Sequence, residues 1–232
     1  MSTETTTQLP TTTQIFFLLD RSGSMESITD DVIGGFNSYV QSQIDGPDEA
    51  RMTLVQFDSQ EPHQVIFANT KMAEVPALTR QTYQPRGGTP LYDAMGHLVT
   101  DANIWVEQIQ SEGKFKPEVI FITFTDGEEN QSREYTQQTI FELVQRKQDN
   151  EGWTFVYMGA NQDAYAAGRQ GGFESDSTSN FRADARGTSL AFEDLSLSTS
   201  KSRLKRSLGQ RIEKGEFFEN IKQSDADNAS RS

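Results

Sequence analysis

Apolar residues fall along this chain in two alternating rhythms. Short unbroken runs, Ile15 to Leu19, Val119 to Phe124 and Trp153 to Met158, have the length and two-sided apolarity of strands buried on both faces. Between them apolar residues recur at helical spacing. Ile28, Val32, Ile33, Phe36, Tyr39, Val40 and Ile44 predict one helix, with Ser27 or Thr29 as its cap. Leu91, Ala94, Met95, Leu98, Ala102, Trp105 and Ile109 predict a second, opened by Pro90, while Ile140, Leu143 and Val144 mark a third. Met52 to Phe57 and Gln64 to Ala68 read as two short strands around the polar link Asp58 to His63, an antiparallel hairpin. Residues 70–88 read mostly as loop with a short helix, and Trp105 and Trp153 fall on apolar faces that belong in a core. Strands alternating with helices predict an α/β, doubly wound, mostly parallel central sheet with one antiparallel edge strand and helices on both faces.

The chemistry sits where strands end. Asp20-Arg21-Ser22-Gly23-Ser24 follows the first apolar run, and Thr125-Asp126-Gly127 follows the run Val119 to Phe124. Between them in sequence, Gly87-Gly88-Thr89-Pro90 opens the second helix. In a parallel sheet these loops share the rim at the carboxyl ends of the strands, where such folds bind ligands. Asp20, Ser22, Ser24, Thr89 and Asp126 then offer five oxygen-bearing side chains, a set suited to a hard divalent cation. Gly23 is expected to turn the first loop sharply, and Gly87-Gly88 to supply positive-φ freedom and close backbone approach. A turn or helix cap would use the same residue types. Three such segments in order favour the metal.

These segments resemble the metal-ion-dependent adhesion site of a von Willebrand factor type A domain, whose pattern is D-x-S-x-S, a distant Thr and a distant Asp. The Asp-Arg-Ser-Gly-Ser-Met and Gly-Gly-Thr-Pro-Leu-Tyr-Asp-Ala versions are similar to the stand-alone bacterial and phage branch. The resemblance implies a Rossmann-like domain over residues 14–208, between a polar extension at 1–13 and a loosely held polar tail at 209–232. It implies a short helix to about Arg169, a last short strand near Ser179 to Arg182 and a last helix from about Gly187 to Ser207. It also implies that Ser22 and Ser24 bind the metal directly, that Thr89 does so directly or through water, and that Asp20 and Asp126 act through water and by bonding the serines. Mg²⁺ is the expected ion, with Mn²⁺ or Ca²⁺ as alternatives. Neutral ligands leave the cation with unbalanced charge, so the implied task is to clamp an Asp or Glu presented by another protein.

Composition narrows the rest. The 232 residues include no cysteine, which excludes disulfides and thiolate metal sites. Met1 to Gln14 is polar and Thr-rich and does not read as a signal peptide, and no apolar run is long enough to span a bilayer. A cytoplasmic location is expected. Lys and Arg number 21 against 34 acidic residues, a formal charge of −13, which argues against nucleic acid or anionic membrane as partners. The expected state is a monomer that meets another protein, with a partner ATPase or a phage-particle or stress-response assembly as its setting. The competing reading, a metal-dependent hydrolase or phosphotransferase using the Asp20–Ser22 loop, finds no G-x-S-x-G, P-loop or H-E-x-x-H. His63 and His97 belong to no recognisable catalytic pattern. No enzyme is expected.

Several polar groups have plainer expected roles. Glu128 and Glu129 would favour the start of a helix, and Asn161 and Asp163 would cap one. Asp93 would either bond within the Thr89 loop or sit in a first helical turn. Lys201, Arg203, Lys205, Arg206, Arg211 and Lys214 would form the solvated, cation-rich end of the last helix.

Overall fold

A computed structural model describes residues 12–160, 164–210 and 217–218. Six strands form one sheet: β1 (Thr12–Asp20), β2 (Glu49–Phe57), β3 (Gln64–Lys71), β4 (Glu118–Thr125), β5 (Thr154–Ala160) and β6 (Thr178–Phe181). Their order is β3-β2-β1-β4-β5-β6, with only the β2–β3 pair antiparallel. Among the described residues four α-helices connect them, α1 (Thr29–Ile44), α2 (Leu91–Ser111), α3 (Gln137–Glu151) and α4 (Ala164–Gln170), and a fifth, α5 (Ala185–Ser207), follows β6. The predicted α/β class and the antiparallel edge are therefore present. Among the described residues, no helix is long and apolar enough to cross a membrane.

Strand alternation divides the core in two. Ile15, Phe17 and Leu19 of β1 point to one face, where Val32, Phe36 and Tyr39 of α1 and Phe192 and Leu195 of α5 cover them. Phe16 and Leu18 point to the other, beneath Leu91, Met95 and Leu98 of α2 and Ile140 and Val144 of α3. This two-sided burial is why β1 is an unbroken apolar run rather than an alternating one. Trp153 is buried as predicted, whereas Trp105 is half-buried and packs edge-on against Phe16 with centroids 6.2 Å apart.

Four expectations change. The chain enters α1 through a 3-10 turn over Gly23–Ile28, so the cap position falls to Ile28. The Thr29 hydroxyl donates back to the Met25 and Glu26 carbonyls instead of capping. No helix starts at Glu128 and Glu129; α3 begins only at Gln137, capped by Thr136. Arg203, expected in solvent, is buried. It donates from Nε to Asp48 Oδ1 at 2.8 Å and from Nη1 to the Gln43 carbonyl at 2.7 Å, tying α5 to the end of α1. Phe217 and Phe218, in the segment expected to be loose, are buried in the α1–α5 core, and the Phe218 amide donates to the Asp176 carbonyl. Asn161, Asp163, Arg211 and Lys214 lie outside the described residues.

Candidate metal centre

Strand order reverses between β1 and β4, so their carboxyl ends open a crevice on one rim of the sheet. The register pairs Leu19 with Phe124, which sets Asp20 beside Thr125. The Thr125 hydroxyl donates to Asp20 Oδ2 at 2.6 Å, and the Ser22 amide donates to Asp20 Oδ1 at 2.6 Å. Asp20 is thereby fixed at both oxygens. Ser22 Oγ and Ser24 Oγ lie 3.0 Å apart, and Ser24 Oγ donates to Asp126 Oδ1 at 2.6 Å. Two loops more than a hundred residues apart in sequence are thus joined through hydroxyls.

The third loop is latched onto both. Gly23 donates its amide to the Gly87 carbonyl at 3.0 Å, and the Arg86 amide donates to the Arg21 carbonyl at 2.7 Å. Gly87 has φ near +67°, which a side chain would strain, as the sequence predicted. Gly23 has no such angle. A Cβ there would make an ordinary 3.4 Å contact with the Gly87 carbonyl oxygen, so neither backbone angle nor space requires a glycine at this position. The Thr89 amide donates to Asn130 Oδ1, and the Asn130 amide returns a bond to the Thr89 carbonyl.

The oxygens converge at Gly127. A Cβ added there would lie 2.9 Å from Thr89 Oγ1, 3.5 Å from Ser24 Oγ and 3.7 Å from Asp20 Oδ2. Only a residue without a side chain leaves that space open between three oxygen donors. All five sequence-selected residues are therefore brought together, with Asp20, Ser22 and Thr89 buried and Ser24 exposed. Among the described residues, no cluster of three or more His, Asp or Glu side chains is placed to hold a metal. The donor set here is two carboxylates and three hydroxyls, all oxygen, and it fits a hard cation.

Electrostatics point the same way. Burial drives the Asp20 carboxyl up to about 7, against the Thr125 and Ser22 bonds that oppose it, and the Asp126 charge adds to the rise. Asp126 is raised too, by burial, with the Ser24 hydroxyl and its own amide pulling it back. Among the described residues, no protein cation faces either carboxylate. Arg21 follows Asp20 directly, yet its guanidinium turns away to Asp58, at 2.6 Å.

Sequence reasoning named Glu129 and Asp93 but overlooked Tyr83 and Ser59 among the residues that hold the loops. Tyr83 is buried and donates its hydroxyl to the Asp20 carbonyl at 2.7 Å. Burial, with the Asp20 and Asp126 charges adding, keeps it a protonated donor. Glu129 accepts from the amides of Tyr92, Gln131 and Ser132, supplying from another loop the acceptor that the start of α2 lacks. Asp93 does sit in the first turn of α2, and it accepts from the amides of Arg133, Glu134 and Tyr135. The Ser59 hydroxyl accepts from the Gly88 amide. Of these, only Asp93 and Glu129 carried a signal: carboxylates beside glycine-rich or polar loops seek amides. His63 and His97 pair with Asp101 and Glu134 on α2 and the β4–α3 loop, joining no nucleophile.

Residues 14–192 match the model of the von Willebrand factor type A domain, and the chain belongs to that family. No curated protein matches it. Solved structures share the fold at low identity. The pilus adhesin SpaC from Lactobacillus rhamnosus GG, in its open conformation, is 14% identical with a TM-score of 0.58, covering 84% of this chain and 30% of its own. Proximal thread matrix protein 1 from the mussel byssus is 16% identical with a TM-score of 0.55, covering 80% and 45%. A von Willebrand factor type A protein from Catenulispora acidiphila is 15% identical with a TM-score of 0.53, covering 82% and 43%. The chain spans less than half the length of each of these proteins. Domains of this family often bind a divalent metal and commonly act as interaction or adhesion modules.

Proposed function

We propose that this protein is a divalent-metal-dependent binding module whose rim clamps an acidic side chain of another protein. The observation that carries this is the convergence of Ser22, Ser24, Thr89, Asp20 and Asp126 around the space left by Gly127. Ser22, Ser24 and Thr89 would hold the cation through hydroxyls, with Asp20 and Asp126 as the compensating charges. Mg²⁺ suits such a site, with Mn²⁺ or Ca²⁺ as substitutes. A bound divalent ion supplies positive charge in excess of what a hydroxyl-rich shell neutralises, which favours an incoming carboxylate.

The protein's own groups prepare that event. Thr125 and the Ser22 amide hold Asp20 in one orientation, and Ser24 orients Asp126. Tyr83, Asn130 and Ser59 fix the backbone of the three loops, so little ordering is left to be done on binding. Among the described residues no imidazole or lysine is bonded to Ser22 or Ser24 to activate it, and the reading is a binding site without catalysis.

The test is the melting temperature of chelator-stripped protein titrated with Mg²⁺ or Mn²⁺, beside Thr89→Ala. Saturation at about one hundred times the dissociation constant adds about 2.7 kcal/mol, a rise of roughly 5 to 10 °C for a domain this size. A rise in the parent, lost in the variant, supports the clamp. No rise at millimolar metal would refute it.

A further inference from the structure

Helix α5 is apolar on two sides. Its inner side buries Ala191, Phe192 and Leu195 against α1 and the sheet. Its outer side carries Leu190, Leu197 and Leu204, 47%, 60% and 51% exposed, and Leu208 just past the helix end is 60% exposed. The three helical leucines recur every seven residues, so they lie in one stripe along the helix. From Leu190 to Leu208 that stripe is about 27 Å long at the α-helical rise. Half of the large exposed apolar side chains of the described structure belong to it. The row is amphipathic, its leucines alternating with charged side chains, and it offers a register that another helix can match.

The charges within the stripe say what it meets. Exposed Glu193 lies one turn after Leu190, and exposed Lys201 one turn after Leu197. About a two-fold axis through Leu197, an antiparallel copy sets Leu190 opposite Leu204 and Glu193 opposite Lys201, twice over. A parallel copy would oppose Glu193 to Glu193 and Lys201 to Lys201. The neighbouring start of α1 is acidic as well. Phe192 packs on Gly35 and Arg203 on Gly46, so α1 and α5 run parallel, and acidic Asp31 lines the same groove as Glu193 and Leu197. The acidic half of that groove therefore suits the basic half of a second α5. Gly34 and Ser38 on its floor leave room for a close approach, since a Cβ on Gly34 would meet nothing within 4 Å.

We infer that two copies of this chain associate through α5, antiparallel, with Leu197 on the two-fold axis and paired Glu193–Lys201 contacts on either side. The pairing goes beyond the metal-binding reading and does not depend on it. The start of α1 follows the Asp20 loop directly, so α5 also begins at the site end of the domain. Antiparallel pairing turns the two candidate sites to opposite ends of the dimer.

Sedimentation velocity on the full chain, at a series of concentrations, tests this together with Leu197→Glu and two charge variants. The parent should form a dimer with a dissociation constant on the order of micromolar, as small interfaces do. Leu197→Glu sets two carboxylates on the axis and should weaken the dimer about 100-fold. Glu193→Lys and Lys201→Glu should each weaken it about tenfold, while the double variant, which reverses both charges, should recover the parent affinity to within about threefold. Melting curves matched to the parent show that these exposed positions leave the fold intact. A monomer at all concentrations up to about 1 mM assigns the stripe to a different partner and overturns the inference. A dimer indifferent to Leu197→Glu overturns it as well, and failure of the double variant to recover overturns the antiparallel register.

Discussion

Two carboxylates sit fully buried at the same rim, and they have opposite surroundings. Asp58, at the start of the β2–β3 link, faces two guanidinium groups, Arg21 at 2.6 Å and Arg86 at 3.0 Å. Amides of Gln60 and Glu61 donate to its other oxygen. Burial alone would raise its pKa, but the Arg86 bond, those amides and the Arg21 charge outweigh it and hold the group below the usual carboxylate range. Asp20, at the end of the neighbouring strand, has only hydroxyl and amide donors and is pushed up to about 7. Neither side chain is exposed to solvent, although Asp20 lies deeper in the protein than Asp58. They differ also in whether the protein itself brings the countercharge. Asp58 is a finished structural contact, whereas Asp20 has hydroxyl and amide donors but no cationic partner among the described residues.

The largest break in this contrast should come at Asp58. Asp58→Asn leaves Arg21 buried beside a neutral amide and frees the Arg86 loop that carries Thr89. A loss of about 3 kcal/mol is expected, since buried Arg21 would keep only the half-exposed Glu61, at 3.3 Å, as an anionic partner. That corresponds to a fall of roughly 10 °C in melting temperature for a domain of this size. A loss below about 1 kcal/mol by denaturant titration would show that the pair is not what secures the rim.

Gly127→Ala sharpens the other side. Its methyl would crowd Thr89 Oγ1 at 2.9 Å, within reach of a small side-chain shift. Stability should fall by about 1 to 2 kcal/mol, as overpacking does. Divalent-metal affinity by titration calorimetry should fall further, by about 100-fold, because the shifted hydroxyl is one of the proposed ligands. Equal metal affinity in parent and variant would mean that Gly127 borders no cation.

The subtlest effect is on pH dependence. Asp20 holds its proton in the folded state from its unfolded value of 3.8 up to about 7, where the unfolded chain has released it. Metal-free stability should therefore fall as pH rises through that window. Asp58 has the reverse sign. Its lowered pKa contributes stability that is present above 3.8 and lost as pH falls below it. Urea titrations of metal-free protein should thus show an optimum on the acid side of neutrality, and Asp20→Asn should flatten the decline above it. An unchanged decline in that variant would assign it to other groups.

The sequence made the inner strands legible because β1, β4 and β5 are covered on both faces and cannot afford polar interruptions. The five candidate ligands were legible for a related reason: each follows or precedes an element whose end is fixed by its own apolar run. The supports were not. Glu129 satisfies an amide of α2 from 37 residues away, and Arg203 finds Asp48 across 155. Local composition gives a carboxylate near a helix start, or a cation near a helix end, a nearer and plainer role. Only the packed sheet brings the true partners into reach. The expectation that residues 209–232 hang loosely missed Phe217 and Phe218 for the same reason, since two apolar residues in a polar tail have no visible destination until the α1–α5 core exists.

The span of the site in sequence also has a kinetic consequence. Ser24 reaches Asp126 across 102 residues, and Asp20 reaches Thr125 across 105, so neither half exists until β1 and β4 have paired. A ligand that needs all three loops cannot guide the early collapse of the chain. If the three loops close only after the folding barrier, occupancy slows unfolding and leaves the folding rate almost unchanged. A tenfold gain in native-state stability from occupancy would then be read as about a tenfold longer lifetime of the folded molecule.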